Sequence, residues 1–204
     1  MLLNIHPVNP DIRKINQVCQ CLEQGGLIIY PTDTVYSIAC DILNSKALIN
    51  LARLKKVKPE KANFSIICKD FSQIAAYTAQ INNHVFKVMR QFLPGPYTFI
   101  LPAGRAIPAI FSERKKTIGI RVPDNPIALA IVENFGRPIA SVSLHDSDEI
   151  LEYSTDPELI HERMEKLVAM VIDGGPGGLE PSTILDCTGE EITVIREGKG
   201  SIHL

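Results

Sequence analysis

The sequence predicts an α/β fold: a twisted, mixed parallel and antiparallel sheet with helices on its faces, forming a single domain over 1–204. Three observations predict it. Short all-apolar runs such as Leu27-Ile28-Ile29-Tyr30 read as strands buried on both faces, the pattern of a sheet covered by helices. Amphipathic segments bounded by capping residues are interleaved with those runs. Neighbouring strand-like runs with no helix between them, at 97–101 and 117–122 and again at 182–187 and 192–196, require some antiparallel pairing.

Taken in order, Asn9-Pro10 supplies an N-cap and a first-turn proline for a helix over 9–26, with Ile12, Ile15, Val18, Cys19 and Leu22 on one face and a stop at Gly25-Gly26. Strand 27–30 ends at Pro31, and a helix over 45–56 turns Leu48, Ile49, Ala52 and Leu54 inward. Strand 64–68 is followed by helices near 71–79 and 82–93, the second closed by Pro94-Gly95-Pro96. The strands at 97–101 and 117–122 are joined by a loop that carries Arg114, Lys115 and Lys116. Asn125-Pro126 opens a helix that ends at Gly136, 138–144 is a strand, and 157–167 is a polar amphipathic helix. Strand 168–172 runs into a glycine-rich turn before the last two strands.

Composition excludes several classes of function. With 45 % hydrophobic and 22 % charged residues the 204-residue chain can bury a core and is not disordered. Its net charge of −2 gives no global field toward nucleic acid or membrane, so an RNA contact needs a local patch. Aromatic residues are only 6 % and Trp is absent, which disfavours a stacking surface for single strands. No apolar run reaches the roughly 20 residues of a membrane span, and Met1 to Pro10 lacks a signal-peptide pattern. Five cysteines without a CxxC pair suit reduced, mostly buried thiols, so a cytoplasmic location is expected. The five histidines show no metal-ligand spacing, and no metal site is expected.

Several segments could carry chemistry. Pro31-Thr32-Asp33-Thr34-Val35-Tyr36 follows a buried strand, where open α/β sheets place ligands. A polar turn that caps its own backbone explains the same residues. Arg53, Lys55, Lys56, Lys58 and Lys61 gather around a helix end; they suit either a solvated C-terminus or a clamp for phosphates or an RNA backbone. Arg121 closes an apolar strand and is either structural or an anion ligand. Ser141 and Ser143 place two hydroxyls at another strand end, within reach of a phosphate. Gly174-Gly175-Pro176-Gly177-Gly178 and Pro181-Ser182-Thr183 let backbone approach a ligand closely and add donors. Arg196 follows at the end of the last strand. Neither GxxxxGK[ST] nor GxGxxG is present.

These pieces together resemble the YrdC/YciO family. PTDTVY, the basic helix end, PGPYTFIL, IGIRVP, SVSL, GG-x-GG-x₂-PSTILD and REG stand in the family's order over nearly the whole chain. IHPVNPDIRKIN, YTFIL and KTIG before IRVP are most similar to the YciO branch. The resemblance implies a large, positively lined concave cavity. It also implies a link to L-threonylcarbamoyladenylate synthase, which joins threonine, bicarbonate and ATP for N6-threonylcarbamoyladenosine in tRNA, and to binding of double-stranded RNA or tRNA.

By position, the resemblance gives Thr32 and Thr34 substrate contacts with Tyr36 beside them. Lys55 matches the lysine of a Lys-x-Arg pair, Arg121 the strand arginine, Ser143 the serine of Ser-x-Asn, Ser182 the serine of PST, and Arg196 the late arginine. It implies ATP as substrate with Mg²⁺ on its phosphates, and no tightly bound cofactor. Three positions depart: Val57 and His145 stand for the family's arginine and asparagine, and Ser37 for a glycine. Lys58 is the expected replacement for the missing cation. Arg53, Lys56 and Lys61 are the RNA-binding candidates. Two functions follow: a synthase of reduced activity, or a non-catalytic nucleotide- or RNA-binding protein that keeps the cavity.

Overall fold

The computed structural model of the chain describes residues 1–108, 116–144 and 152–202. Arg114 and Lys115 of the basic loop, and His145 and His203, lie outside the described residues.

Among the described residues ten strands form one sheet: β1 (Leu2–Asn4), β2 (Ile28–Tyr30), β3 (Ser37–Asp41), β4 (Ser65–Ile67), β5 (Tyr97–Pro102), β6 (Thr117–Arg121), β7 (Ile139–Ser143), β8 (Met170–Asp173), β9 (Thr183–Asp186) and β10 (Thr193–Arg196). Their spatial order is β1-β8-β2-β3-β7-β4-β6-β5-β9-β10. Pairing is mixed as expected: β1 with β8, β8 with β2, β4 with β6 and β5 with β9 are parallel. The β2–β3, β3–β7, β7–β4, β6–β5 and β9–β10 pairs are antiparallel.

Among the described residues six α-helices accompany the sheet: α1 (Ile12–Glu23), α2 (Ser45–Leu54), α3 (Phe71–Tyr77), α4 (Asn83–Phe92), α5 (Pro126–Phe135) and α6 (Pro157–Met164). Each starts on an Asp or Asn whose side chain accepts a backbone N–H of the first turn: Asp11, Asn44, Asp70, Asn82, Asn125 and Asp156. At α5 the expected boundaries hold at both ends, with Asn125 as cap, Pro126 in the first turn and Gly136 left-handed at φ 74°. None of the described helices is long and apolar enough to cross a membrane.

Several boundaries and faces differ from expectation. The cap of α1 is Asp11 rather than Asn9, which leaves Ile12 at the start of the helix and 59 % exposed. The α2 face turned inward is Ala47, Leu48, Leu51 and Ala52, and Ile49 is 39 % exposed. Strands β1 and β3 were not anticipated. The first has only three residues, and the second, Ser-Ile-Ala-Cys-Asp, has a weak strand composition and follows directly on the polar PTDTVY segment.

Two apolar cores lie on the two faces of the sheet. One joins α1 and α5 through Ile15, Val18, Leu22, Ile127, Ile131 and Val132 to strand residues that include Ile28, Ala39, Ile139 and Ile172. The other joins α2, α4 and α6 to Ile29, Ile38, Ile66, Phe99, Ile120 and Leu185. Strand alternation sends consecutive residues to opposite cores. All five thiols are free; four are buried, and Cys21 is half-buried. Burial pushes the Cys40 and Cys68 thiols well up and that of Cys187 to about 12, so they stay protonated near neutral pH.

Candidate functional site

The face of β3, β7 and β4 that carries Ala39, Ile139 and Ile67 into the α1–α5 core continues toward β6, β5 and β9. On this continuation the inward positions change character. Ser37, Ser141, Ser143, Ser65, Thr98 and Ser182 replace large apolar residues, and with them a cavity of about 740 Å³ opens. Beside the cavity, Gly119 lines an adjoining groove, and a Cβ there would lie 2.7 Å from Ser65 Oγ. The signal was present in the sequence as small hydroxyl residues at alternate strand positions. Ser37, Ser65, Thr98 and Asn63 line the cavity and were not among the candidates.

Four cationic residues line this cavity, Lys55, Lys61, Arg121 and Arg196, and no Asp or Glu is among the described lining residues. The structure therefore brings together Lys55, Lys61, Arg121, Ser141, Ser143, Ser182 and Arg196 of the expected set. Lys55 Nζ donates to the Ser143 and Leu144 carbonyls at 3.2 and 3.4 Å, tying the end of α2 to the end of β7. Val57 lines the same wall.

Arg121 is held from behind. One terminal nitrogen donates to Asp33 Oδ1 at 2.8 Å and to Thr34 Oγ1 at 3.0 Å, while Asp33 Oδ2 accepts the Asp124 N–H. Its side chain is 6 % exposed, and its Nε–H has no partner among the described residues. A buried guanidinium with an unsatisfied N–H, on the wall of a cavity, favours an anionic or carbonyl acceptor there.

Arg196 donates from Nε and one terminal nitrogen to the Ser182 carbonyl. Its pKa is lowered, first by burial and then by the charge of Arg121, so two like charges face one space. Ser182 and Thr98 share a hydroxyl hydrogen bond at 2.8 Å, as do Ser141 and the buried Tyr30.

Six candidates fall outside the lining. Thr32 and Thr34 are buried and bonded to each other at 3.0 Å, Thr32 donates to the Val35 carbonyl, and Thr34 supports Arg121. Tyr36 is fully buried, donates to the Gly175 carbonyl at 2.7 Å and accepts the Gly174 N–H, which pins the glycine-rich turn. In that turn Gly178 donates to the Thr34 carbonyl, and a Cβ at Gly178 would meet that oxygen at 2.5 Å. PTDTVY is thus a brace behind the cavity. Lys58 is exposed and away from the lining, and Lys61, not Lys58, reaches it. Arg53 and Lys56 are exposed beside α2's end.

This topology and its lining define an α/β protein with a cation-lined cavity on one sheet face. The Sua5/YciO/YrdC family model, described as "Telomere recombination", matches residues 20–198, and the chain belongs to that family. YciO of Escherichia coli K12 is 40 % identical over 97 % of this chain and 95 % of its own. The crystal structure of E. coli YciO superposes with a TM-score of 0.91, covering 98 % of this chain and 97 % of that one. A threonylcarbamoyl-AMP synthase of Vibrio vulnificus is 28 % identical over 92 % of this chain and all of its own. The P. abyssi Sua5 structure complexed with L-threonine gives a TM-score of 0.87 at 26 % identity, over 97 % of this chain and 57 % of that one. The higher identity to YciO puts the chain on the YciO side of the family, as its motifs suggested.

Proposed function

We propose that the cavity binds a nucleoside triphosphate and that the chain acts as a synthase of the threonylcarbamoyl-AMP type. The observation that carries this is the lining: four cations, no described carboxylate, and a row of hydroxyls. A polyphosphate would meet Arg121 and Arg196 on one wall and Lys55 on another, while the serines and threonines take up oxygens between them. The relative at 28 % identity and the threonine-bound structural neighbour support the choice of reaction.

Such a reaction needs little proton traffic from side chains. Threonine nitrogen adds to bicarbonate with loss of water; the resulting carbamate oxygen attacks the α-phosphorus; the bond to the β-phosphate breaks and pyrophosphate leaves. The protein's part is alignment and neutralisation of charge. Among the described residues no three His, Cys, Asp or Glu side chains gather to hold a metal, so Mg²⁺ would ride on phosphate oxygens and water.

The test is mass-spectrometric detection of threonylcarbamoyl-adenylate from ATP, Mg²⁺, threonine and bicarbonate, with Lys55→Ala as control. Product that disappears in Lys55→Ala supports the synthase. ATP binding without product overturns it in favour of a non-catalytic binding protein. A second reading, contact with double-stranded RNA or tRNA, is favoured by exposed Arg53, Lys56 and Lys58 beside the Lys55 wall. Binding there should fall as salt rises and weaken in a triple alanine variant; salt-independent or unchanged binding would remove it.

A further inference from the structure

Tyr30 stands where the apolar core and the cavity meet. It belongs to the core under α1 and α5 and is fully buried. Its hydroxyl pairs with Ser141 Oγ at 2.8 Å, and Ser141 lines the cavity. The two residues lie on β2 and β7, with β3 between those strands. The β3 residues opposite them are Ser37, beside Tyr30, and Ala39, beside Ser141. Both are small, so a long phenol can cross that strand to reach the serine.

The direction of this hydrogen bond follows from what each hydroxyl can reach. A phenol carries one proton, and a buried O–H left without an acceptor is costly. Among the described residues Ser141 Oγ is the only partner of the Tyr30 hydroxyl. Were Ser141 the donor, the phenol proton would be buried with nothing to accept it. Tyr30 is therefore the donor, and burial keeps that proton in place by pushing the phenol up to about 12. The Ser141 proton is then unspent, on a residue of the cavity lining, with no acceptor among the described residues. The other hydroxyl pair, Thr98 with Ser182, has no such direction, because both members line the cavity and either can donate.

We propose that Tyr30 is a positioning residue of the cavity: by donating to Ser141 it fixes the serine hydroxyl as a donor toward an anionic oxygen of the bound ligand. The inference rests on the reading of the cavity as a nucleotide site and adds the chemistry of one contact, an acceptor such as a phosphate or carboxylate oxygen. Arg121 favours the same kind of group, because its unsatisfied Nε–H belongs to the same lining and its charge reaches Tyr30. A ligand group that can only donate, such as an ammonium, would face donors there and be rejected.

The experiment combines tyrosine vibrational spectroscopy with a double-mutant cycle on the intact chain. A resonance Raman difference spectrum, native minus Tyr30→Phe, isolates the Fermi doublet of the Tyr30 phenol. The intensity ratio of that doublet separates a donating phenol from an accepting one, and a donor ratio is expected. Should Tyr30→Phe fail to fold, native minus Ser141→Ala reads the same doublet, because the alanine removes the acceptor; a doublet unmoved by Ser141→Ala overturns the inference. Calorimetry then measures ATP and inorganic pyrophosphate binding to the native chain, both single variants and the double variant. Ser141→Ala should weaken ATP about tenfold and Tyr30→Phe about threefold, and Tyr30→Phe should add nothing in the Ser141→Ala background. A purely structural Tyr30 would weaken ATP equally in both backgrounds. That result, or an acceptor ratio, overturns the inference while the nucleotide site stands. If pyrophosphate shows the coupling but ATP does not bind, the nucleotide reading fails and the role of Tyr30 stands. If neither ligand binds the native chain, both are overturned.

Discussion

At φ 54°, Lys56 holds a backbone conformation that costs an L-residue with a Cβ about 1–2 kcal/mol. Glycine would relieve that strain and give back part of it through the freedom of the unfolded chain. Lys56→Gly should therefore raise stability by roughly 0.5–1 kcal/mol in urea unfolding; an unchanged midpoint would mean the strain is absent. Arg121 is the opposite case, because its loss would leave the Asp33 carboxylate, 7 % exposed, without its ion pair. Arg121→Ala should cost about 3 kcal/mol as well as ligand binding, and Arg121→Ala with Asp33→Asn should recover part of the stability but not the binding. Tyr30 adds a pH dependence. Its phenol is fully buried and pushed from 10 up to about 12, first by burial, so the neutral form belongs to the folded state. The stability this gives is complete below pH 10 and is lost as pH rises from 10 toward 12, on the order of 3 kcal/mol. Urea midpoints measured across that window should fall, and should fall less in Tyr30→Phe; parallel curves would exclude Tyr30 as a source.

The elements differ in how far their residues announced them. Helix starts were legible because Asp and Asn caps act within one turn, and Asn125→Ala should cost about 1 kcal/mol, read as a lowered unfolding midpoint. The α1 start was missed because Asn9-Pro10 and Asp11 offer competing caps two residues apart, and the choice depends on how the helix packs against α5. Strand β3 was missed for a different reason: its Ser, Ala and Asp positions suit the site face and carry no strand signal of their own. At β10 the register shifts between Val194, opposite Leu185, and Arg196, opposite Ile184. The extra residue, Ile195, lets Ile195 and Arg196 both approach the open side: Arg196 lines the large cavity, and Ile195 lines an adjoining groove of about 260 Å³ with Phe64 and Ile100. Deleting Ile195 should turn Arg196 away and weaken ATP binding at least tenfold with little change in thermal midpoint, because all of β10 is exposed. Equal binding by the deletion and by Ile195→Ala would show that the bulge does not aim Arg196.

Across the whole molecule, the cavity exists because one sheet face is longer than the helices that cover it. α1 and α5 seal the β8–β2–β3 end, and among the described residues the same face beyond β7 is lined by hydroxyls and cations. The fold class was legible from apolar runs and interleaved helices, which are local signals. The site was legible only in part. Arg121, Lys55, Ser143, Ser182 and Arg196 sit at strand or helix ends and could be singled out there. That PTDTVY faces the back of Arg121, and that Lys61 rather than Lys58 enters the cavity, depend on a sheet order that no short stretch of chain encodes.

That sheet order also governs how the molecule comes into being. Strand β1 lies beside β8, so Leu3 pairs with Ile172, and β2 has β8 as a neighbour as well. On the ribosome, the first two strands must wait for nearly the whole chain to emerge before one of their edges is covered. Pairings this distant in sequence are slow to form, and they leave the Ile28–Tyr30 edge open to other chains in the meantime. Chains truncated before Asp173, the end of β8, should therefore be less soluble than the full chain, read as the soluble fraction on expression.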